Sequence, residues 1–144
     1  MTRIAVKPAL QPELFTYSFP VRVYFENTDA GGVVYHAEYL KFFERARTEW
    51  LRGLGIEQGA LRERLGAMFI VSRTAMRYLR PARLDDLLEV TVAVRDRARV
   101  SLQLEQQALR GTELLAEGDV RIACVDAPTL RPRRIPDEVL SRLP

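Results

Sequence analysis

Residues 27–50 read NTDAGGVVYHAEYLKFFERARTEW. As far as Gly32 this is turn chemistry: Asn27, Thr28 and Asp29 run into Ala30 and two glycines. The chain's single histidine, His36, follows a short apolar step. From Tyr35 the period changes. Tyr39, Phe42, Phe43, Ala46 and Trp50 recur at helical spacing, with Leu40, Leu51 and Leu54 beside them. Lys41, Glu44, Arg45, Thr48 and Arg52 take the opposite side. The spacing predicts a helix over 35–54, about 30 Å long, closed by Gly53 and Gly55. Its apolar arc is wide and aromatic, so a large surface must cover it.

The rest of the chain supplies that cover. In FPVRVYFE (19–26), Phe19, Val21, Val23 and Phe25 alternate with polar residues and with Pro20, a half-buried strand that NTDAGG then breaks. EQGALRERLG (57–66) is at most a short second helix. Beyond Gly66 the pattern is strand: 67–79, then alternation through 88–95, 100–105 and 114–124, with RGT (110–112) as a hairpin turn. Strands so closely spaced run antiparallel. DEVLSRL (137–143) has room for a last helical turn. The expectation is an α+β fold, a five-stranded antiparallel sheet wrapped around one long helix. Residues 1–17 carry two prolines and no period, so they read as a flexible arm ahead of a single domain at 18–144. Ala93, Leu115, Ala123 and Val125 fall on the outer face of the sheet by alternation, which predicts an oligomer.

Bulk composition narrows the classes. At 144 residues with 47% hydrophobic and 28% charged side chains, the chain is an ordinary soluble globular protein. A net charge of +3 is too mild to imply nucleic acid. The single cysteine, Cys124, forbids an internal disulfide and fits a reducing cytoplasm. No run is long enough for a signal peptide or a membrane span. One histidine and one cysteine argue against an all-protein metal site, and no cofactor is expected.

The block VRVYFENTDAGGVVYHAEYLKFFERARTEWLR (21–52) resembles the hotdog-fold acyl-CoA thioesterases of the 4-hydroxybenzoyl-CoA thioesterase type, most closely their Tol-Pal-associated YbgC-like branch. The resemblance continues through YLRPARLDDLLEV, RARV and RIACVDAPTLRPRRIP, spanning 19–136. It implies a hotdog fold, dimers joined sheet edge to sheet edge and often paired into tetramers, sites at the subunit interface, and metal-free hydrolysis of an acyl-CoA. The family's catalytic aspartate falls on Asp29 and the branch's histidine on His36. Gly32, Val33, Val34 and Tyr35 match the turn that aims backbone amides at the thioester carbonyl. Three positions depart. Phe25 replaces a tyrosine linked to function in the branch, so the phenol's role is either lost or moved to Tyr24. Asn27 stands where an aspartate is usual, and Glu38 where an asparagine is usual.

The chemistry can be argued from the residues themselves. A helix start carries unpaired N–H groups and the positive end of the helix dipole, which suit a developing oxyanion. Glycines 31 and 32 allow close approach of a substrate to the backbone. Asp29 can then attack the carbonyl or activate a water. His36 can position substrate or water. Taken alone, an Asp before two glycines is ordinarily a turn residue, and a His at a helix start a polar cap. Glu44 is a second carboxylate of interest on the helix. Arg73, Arg77, Arg97 and Arg99, with Arg80, Arg83, Arg131, Arg133 and Arg134, are candidates for coenzyme A phosphates, against a plain solvated basic surface. Two rival readings remain at this level: a hydratase or dehydratase acting on enoyl thioesters, and a non-catalytic module that binds acyl thioesters or acyl carrier protein.

Overall fold

The structure is a computed structural model and describes residues 17–144. The expected arm at 1–17 lies outside the described residues except for Tyr17, which opens the first strand. The strands are β1 (Tyr17–Arg22), β2 (Ala67–Tyr78), β3 (Leu87–Arg97), β4 (Ser101–Arg110) and β5 (Glu113–Asp126). They form one sheet in the order β1-β3-β4-β5-β2, every pair antiparallel. Helix α1 (Glu38–Gly53) lies in its concave face, followed by α2 (Gln58–Leu65); α3 (Asp137–Leu140) is a single late turn. Gly66 ends α2 in the left-handed conformation, φ 66°, which glycine adopts without a Cβ clash.

The aromatic stripe of α1 is the core. Phe42, Phe43 and Ala46 are fully buried, and Tyr39 and Trp50 nearly so. They pack with Val90 and Val92 of β3, Leu102 and Leu104 of β4, and Val120 and Ile122 of β5 in one cluster. Removing each large side chain from water contributes about 1.5–3 kcal/mol. A polar staple sits inside this layer. The fully buried Gln106 amide donates to the Phe43 carbonyl of α1 at 3.0 Å and the Thr91 carbonyl of β3 at 3.2 Å, and accepts from Arg47 at 2.9 Å.

Four local expectations change. The first strand leaves the sheet at Arg22, because Asn27 Oδ1 accepts the Tyr24 amide at 2.7 Å and closes a 3-10 turn at Phe25–Asn27. Phe25 is thereby turned into solvent. Helix α1 begins at Glu38, so His36 occupies the turn before it, tied by the Glu38 amide donating to the Tyr35 carbonyl. Leu40 lies on the exposed side of α1. The outer-face set loses one member. In the β4–β5 register Ala108 faces Ala116 while Leu109 faces Leu114, so Leu115 is a bulged residue and joins the core. Ala93 and Val125 are buried, yet they and Ala123 stand outside that core cluster. The exposed large apolar side chains include Ile70, Val71 and Tyr78 on β2, and Tyr24, Phe25, Tyr35 and Leu40 around the entry to α1.

Candidate active site

Residues 28–34 form a small hairpin. Thr28 pairs with Val34, and Asp29 donates its amide to the Val33 carbonyl at 2.9 Å. At the tip, the Asp29 carboxylate accepts the Gly31 amide at 2.8 Å, an Asx turn. Gly32 closes the tip at φ 78°, where a side chain would be strained, and donates to the Asp29 carbonyl. Asp29 and His36 are both exposed. The carboxylate is thus oriented by its own turn and open to a ligand.

The return arm enters α1 directly, and no side chain caps that helix start. The backbone donors along it sort into two groups. Gly32 bonds Asp29, Val34 bonds the Ala82 carbonyl at 2.9 Å, and Tyr35 bonds the Asn27 carbonyl at 2.9 Å. The amides of Val33, His36 and Ala37 have no backbone acceptor among the described residues. Within the expected stretch from Gly32 to Tyr35, therefore, most donors serve the fold; Val34 is also buried as a side chain. The free amides cluster one step later, at the mouth of α1.

Two buried polar groups hold this unit. Asn27 Nδ2 donates to Glu38 Oε1 at 3.3 Å, and Lys41 pairs with the other Glu38 oxygen at 2.9 Å. Lys41 first, and then the Asn27 amide, hold the Glu38 carboxyl below its ordinary value against the opposing effect of burial. From the sheet side, the Ala82 amide donates to the Tyr39 hydroxyl at 3.2 Å, and Tyr78 donates its hydroxyl to the His36 carbonyl at 3.0 Å. The His36 imidazole lies 4.4 Å from the Tyr35 ring and edge-on to Tyr78 at 6.2 Å.

The candidate arginines are dispersed. Arg73 and Arg77 run along β2, where Arg77 is shared with Glu117 of β5 at 2.9 Å. Arg97 ends β3 and Arg99 follows in the turn, about 30 Å of strand from the end of β3 nearest the hairpin. The arginine the fold brings to the hairpin is Arg83, exposed and bridged through its backbone to Val33. Reading the sequence left Arg83 within a cluster and Tyr78 unnoticed, since both approach from a segment more than 40 residues away. Glu44 accepts the Thr48 hydroxyl at 2.9 Å along α1.

An antiparallel sheet around one long helix, with a carboxylate hairpin leading into an uncapped helix start, defines a hotdog-fold protein of the thioesterase class. The chain belongs to the Thioesterase-like superfamily, whose profile matches residues 23–143. It is 49% identical over 123 residues to a Haemophilus influenzae protein named acyl-CoA thioesterase YbgC, covering 85% of this chain and 90% of that one. It is 43% identical over 126 residues to an Escherichia coli protein named acyl-CoA thioester hydrolase YbgC, covering 87% and 93%. Among solved structures, a probable thioesterase from Bartonella henselae superposes with a TM-score of 0.81 at 35% identity, over 84% of this chain and 99% of that one. The 1,4-dihydroxy-2-naphthoyl-CoA thioesterase Slr0204 of Synechocystis shares the fold at TM-score 0.82 and 18% identity, over 89% and 95%.

Proposed function

We propose that the protein hydrolyses acyl-CoA thioesters to the free acid and coenzyme A. The observation that carries this reading is the hairpin itself: a carboxylate oriented by a glycine amide, one short arm away from free amides at a helix start. The names of the Haemophilus and Escherichia relatives support it. The substrate carbonyl oxygen accepts from the His36 and Ala37 amides, where the helix dipole adds to their pull. Loss of one such donor typically costs about 3 kcal/mol. Asp29 supplies the attack. Its carboxylate adds to the carbonyl and expels the coenzyme A thiolate, leaving an anhydride that water opens; or it takes a proton from a water that adds in its place. Label found in Asp29 after a single turnover in oxygen-18 water would establish the anhydride route, with water attacking at the Asp29 carbonyl. His36 lies beside the reacting carbonyl and orients substrate or water.

The site is completed by a second copy. Asp29 and His36 stand open, and the free edge of β2 beside them exposes Ile70, Val71 and Tyr78. A homodimer joined through that edge, alone or paired into a tetramer, buries both. The coenzyme A phosphates meet arginine: Arg83 beside the hairpin, Arg73 and Arg77 along the edge, and Arg97 and Arg99 across the subunit boundary. No helix among the described residues is long and apolar enough to cross a membrane, and the single cysteine accords with a cytoplasmic enzyme.

The test is thiol release from a panel of acyl-CoAs. The parent protein should release thiol. Asp29→Asn keeps an oxygen for the Gly31 amide, so it should fold and bind substrate yet turn over at least about a hundredfold more slowly. Near-normal turnover would return Asp29 to a turn role. Binding of acyl-CoA by the parent without any thiol release would leave a carrier-binding module in place of a hydrolase.

A further inference from the structure

The first turn of α1 is wound tightly. The Leu40 amide bonds the Ala37 carbonyl at 3.2 Å, so no backbone donor among the described residues claims the carbonyl of His36. Tyr78 claims it instead, from β2, with its hydroxyl at 3.0 Å. A trans peptide is planar, so its C=O and N–H point in opposite directions. Holding the His36 carbonyl toward the sheet therefore holds the Ala37 N–H away from it. That N–H is one of the free amides at the mouth of the helix. A hydrogen bond at the oxygen of a peptide also polarises it and strengthens the N–H on its far side as a donor. The ring itself is fixed edge-on between His36 and Tyr39, with centroids 6.2 Å and 5.5 Å away.

We propose that Tyr78 is a positioning residue of the hydrolytic site: through the His36 carbonyl it aims and strengthens the Ala37 amide that receives the substrate's oxyanion. This rests on the acyl-CoA hydrolase reading above. Tyr78 does not touch the reacting atoms. It is the one side chain on β2 whose polar atom reaches the turn before α1 among the described hydrogen bonds. Burial raises its phenol above the ordinary tyrosine value, so it remains protonated and able to donate throughout the neutral range.

Tyr78→Phe removes the hydroxyl and keeps the ring, so urea unfolding should stay near that of the parent. Turnover should fall about tenfold, the weight of one hydrogen bond, with KM changed less than about twofold. A structural role alone would not move the second readout. A ketone analogue of an acyl-CoA, its sulfur replaced by methylene and its carbonyl labelled with carbon-13, cannot be cleaved. Bound to the parent, its carbonyl infrared stretch should drop below the value in water. Bound to Tyr78→Phe, the stretch should return toward that value. A parental stretch in the variant overturns the proposal, whether or not turnover has fallen. If the parent cleaves no acyl-CoA and leaves the analogue's stretch unshifted, the hydrolase reading itself has failed, and the Tyr78 role falls with it. An active parent with an indifferent Tyr78→Phe isolates the failure to Tyr78.

Discussion

Asn27 and Glu38 each depart from the residue their position leads one to expect, and they are hydrogen-bonded to each other. The family resemblance leads one to expect an aspartate at 27 and an asparagine at 38; here the amide stands at 27 as donor and the carboxylate at 38 as acceptor. Asn27→Asp alone should set two buried carboxylates together and lower stability by about 1–3 kcal/mol in urea unfolding at neutral pH. Adding Glu38→Asn should recover most of that loss, a coupling that a double-mutant cycle reads directly. Additive single effects would mean that the pair is incidental. The native carboxyl obeys linkage in the usual direction for an acid. Its folded value is lowered, so its stabilisation is present above the unfolded value and fades as pH falls through the folded one. Asp29 and His36 could be singled out as candidates from the sequence because they sit in one local run. Tyr78 went unread and Arg83 was one arginine among several, because only the return of β2 and its following loop brings them to that run.

The Phe43 ring of α1 packs over Gly118 of β5. A Cβ there would lie 2.6 Å from Met76 Sδ and 2.9 Å from the Phe43 ring. Gly118→Ala should therefore destabilise by about 1–3 kcal/mol, the cost of overpacking. In an unobstructed strand the same change would stabilise, by reducing the entropy lost on folding. The sign of the change in urea midpoint thus decides whether close approach or strand propensity governs the position. Trimming the ring with Phe43→Leu in the Gly118→Ala background should restore part of the loss. The helix itself was readable because its period is set by residues a few positions apart. Its entry was not: the tight hydrogen bonds of 35–40 replace regular helix at His36, and a list of side chains carries no signal for them.

The sheet as a whole has two edges, and they differ. Strand β1 carries Pro20, which has no N–H to offer a neighbour. Strand β2 is twice as long, lacks proline and exposes Ile70 and Val71. If the dimer forms there, the parent should sediment as a dimer or larger at micromolar concentration, and Val71→Asp should shift it toward monomer with a matching loss of turnover. A monomeric, fully active parent would remove the shared site. The sequence by itself determined the long helix, the five antiparallel strands and the turn that carries Asp29, because each is written in spacing along a short stretch of chain. Only the tertiary structure decided which apolar residues stay exposed, which amides stay free and which distant side chains attend them. A single bulge moved Leu115 into the core, and one phenol crossing from β2 claimed a carbonyl at the helix mouth. Such outcomes depend on register and on backbone hydrogen bonds between segments far apart in the chain, and no local pattern encodes them.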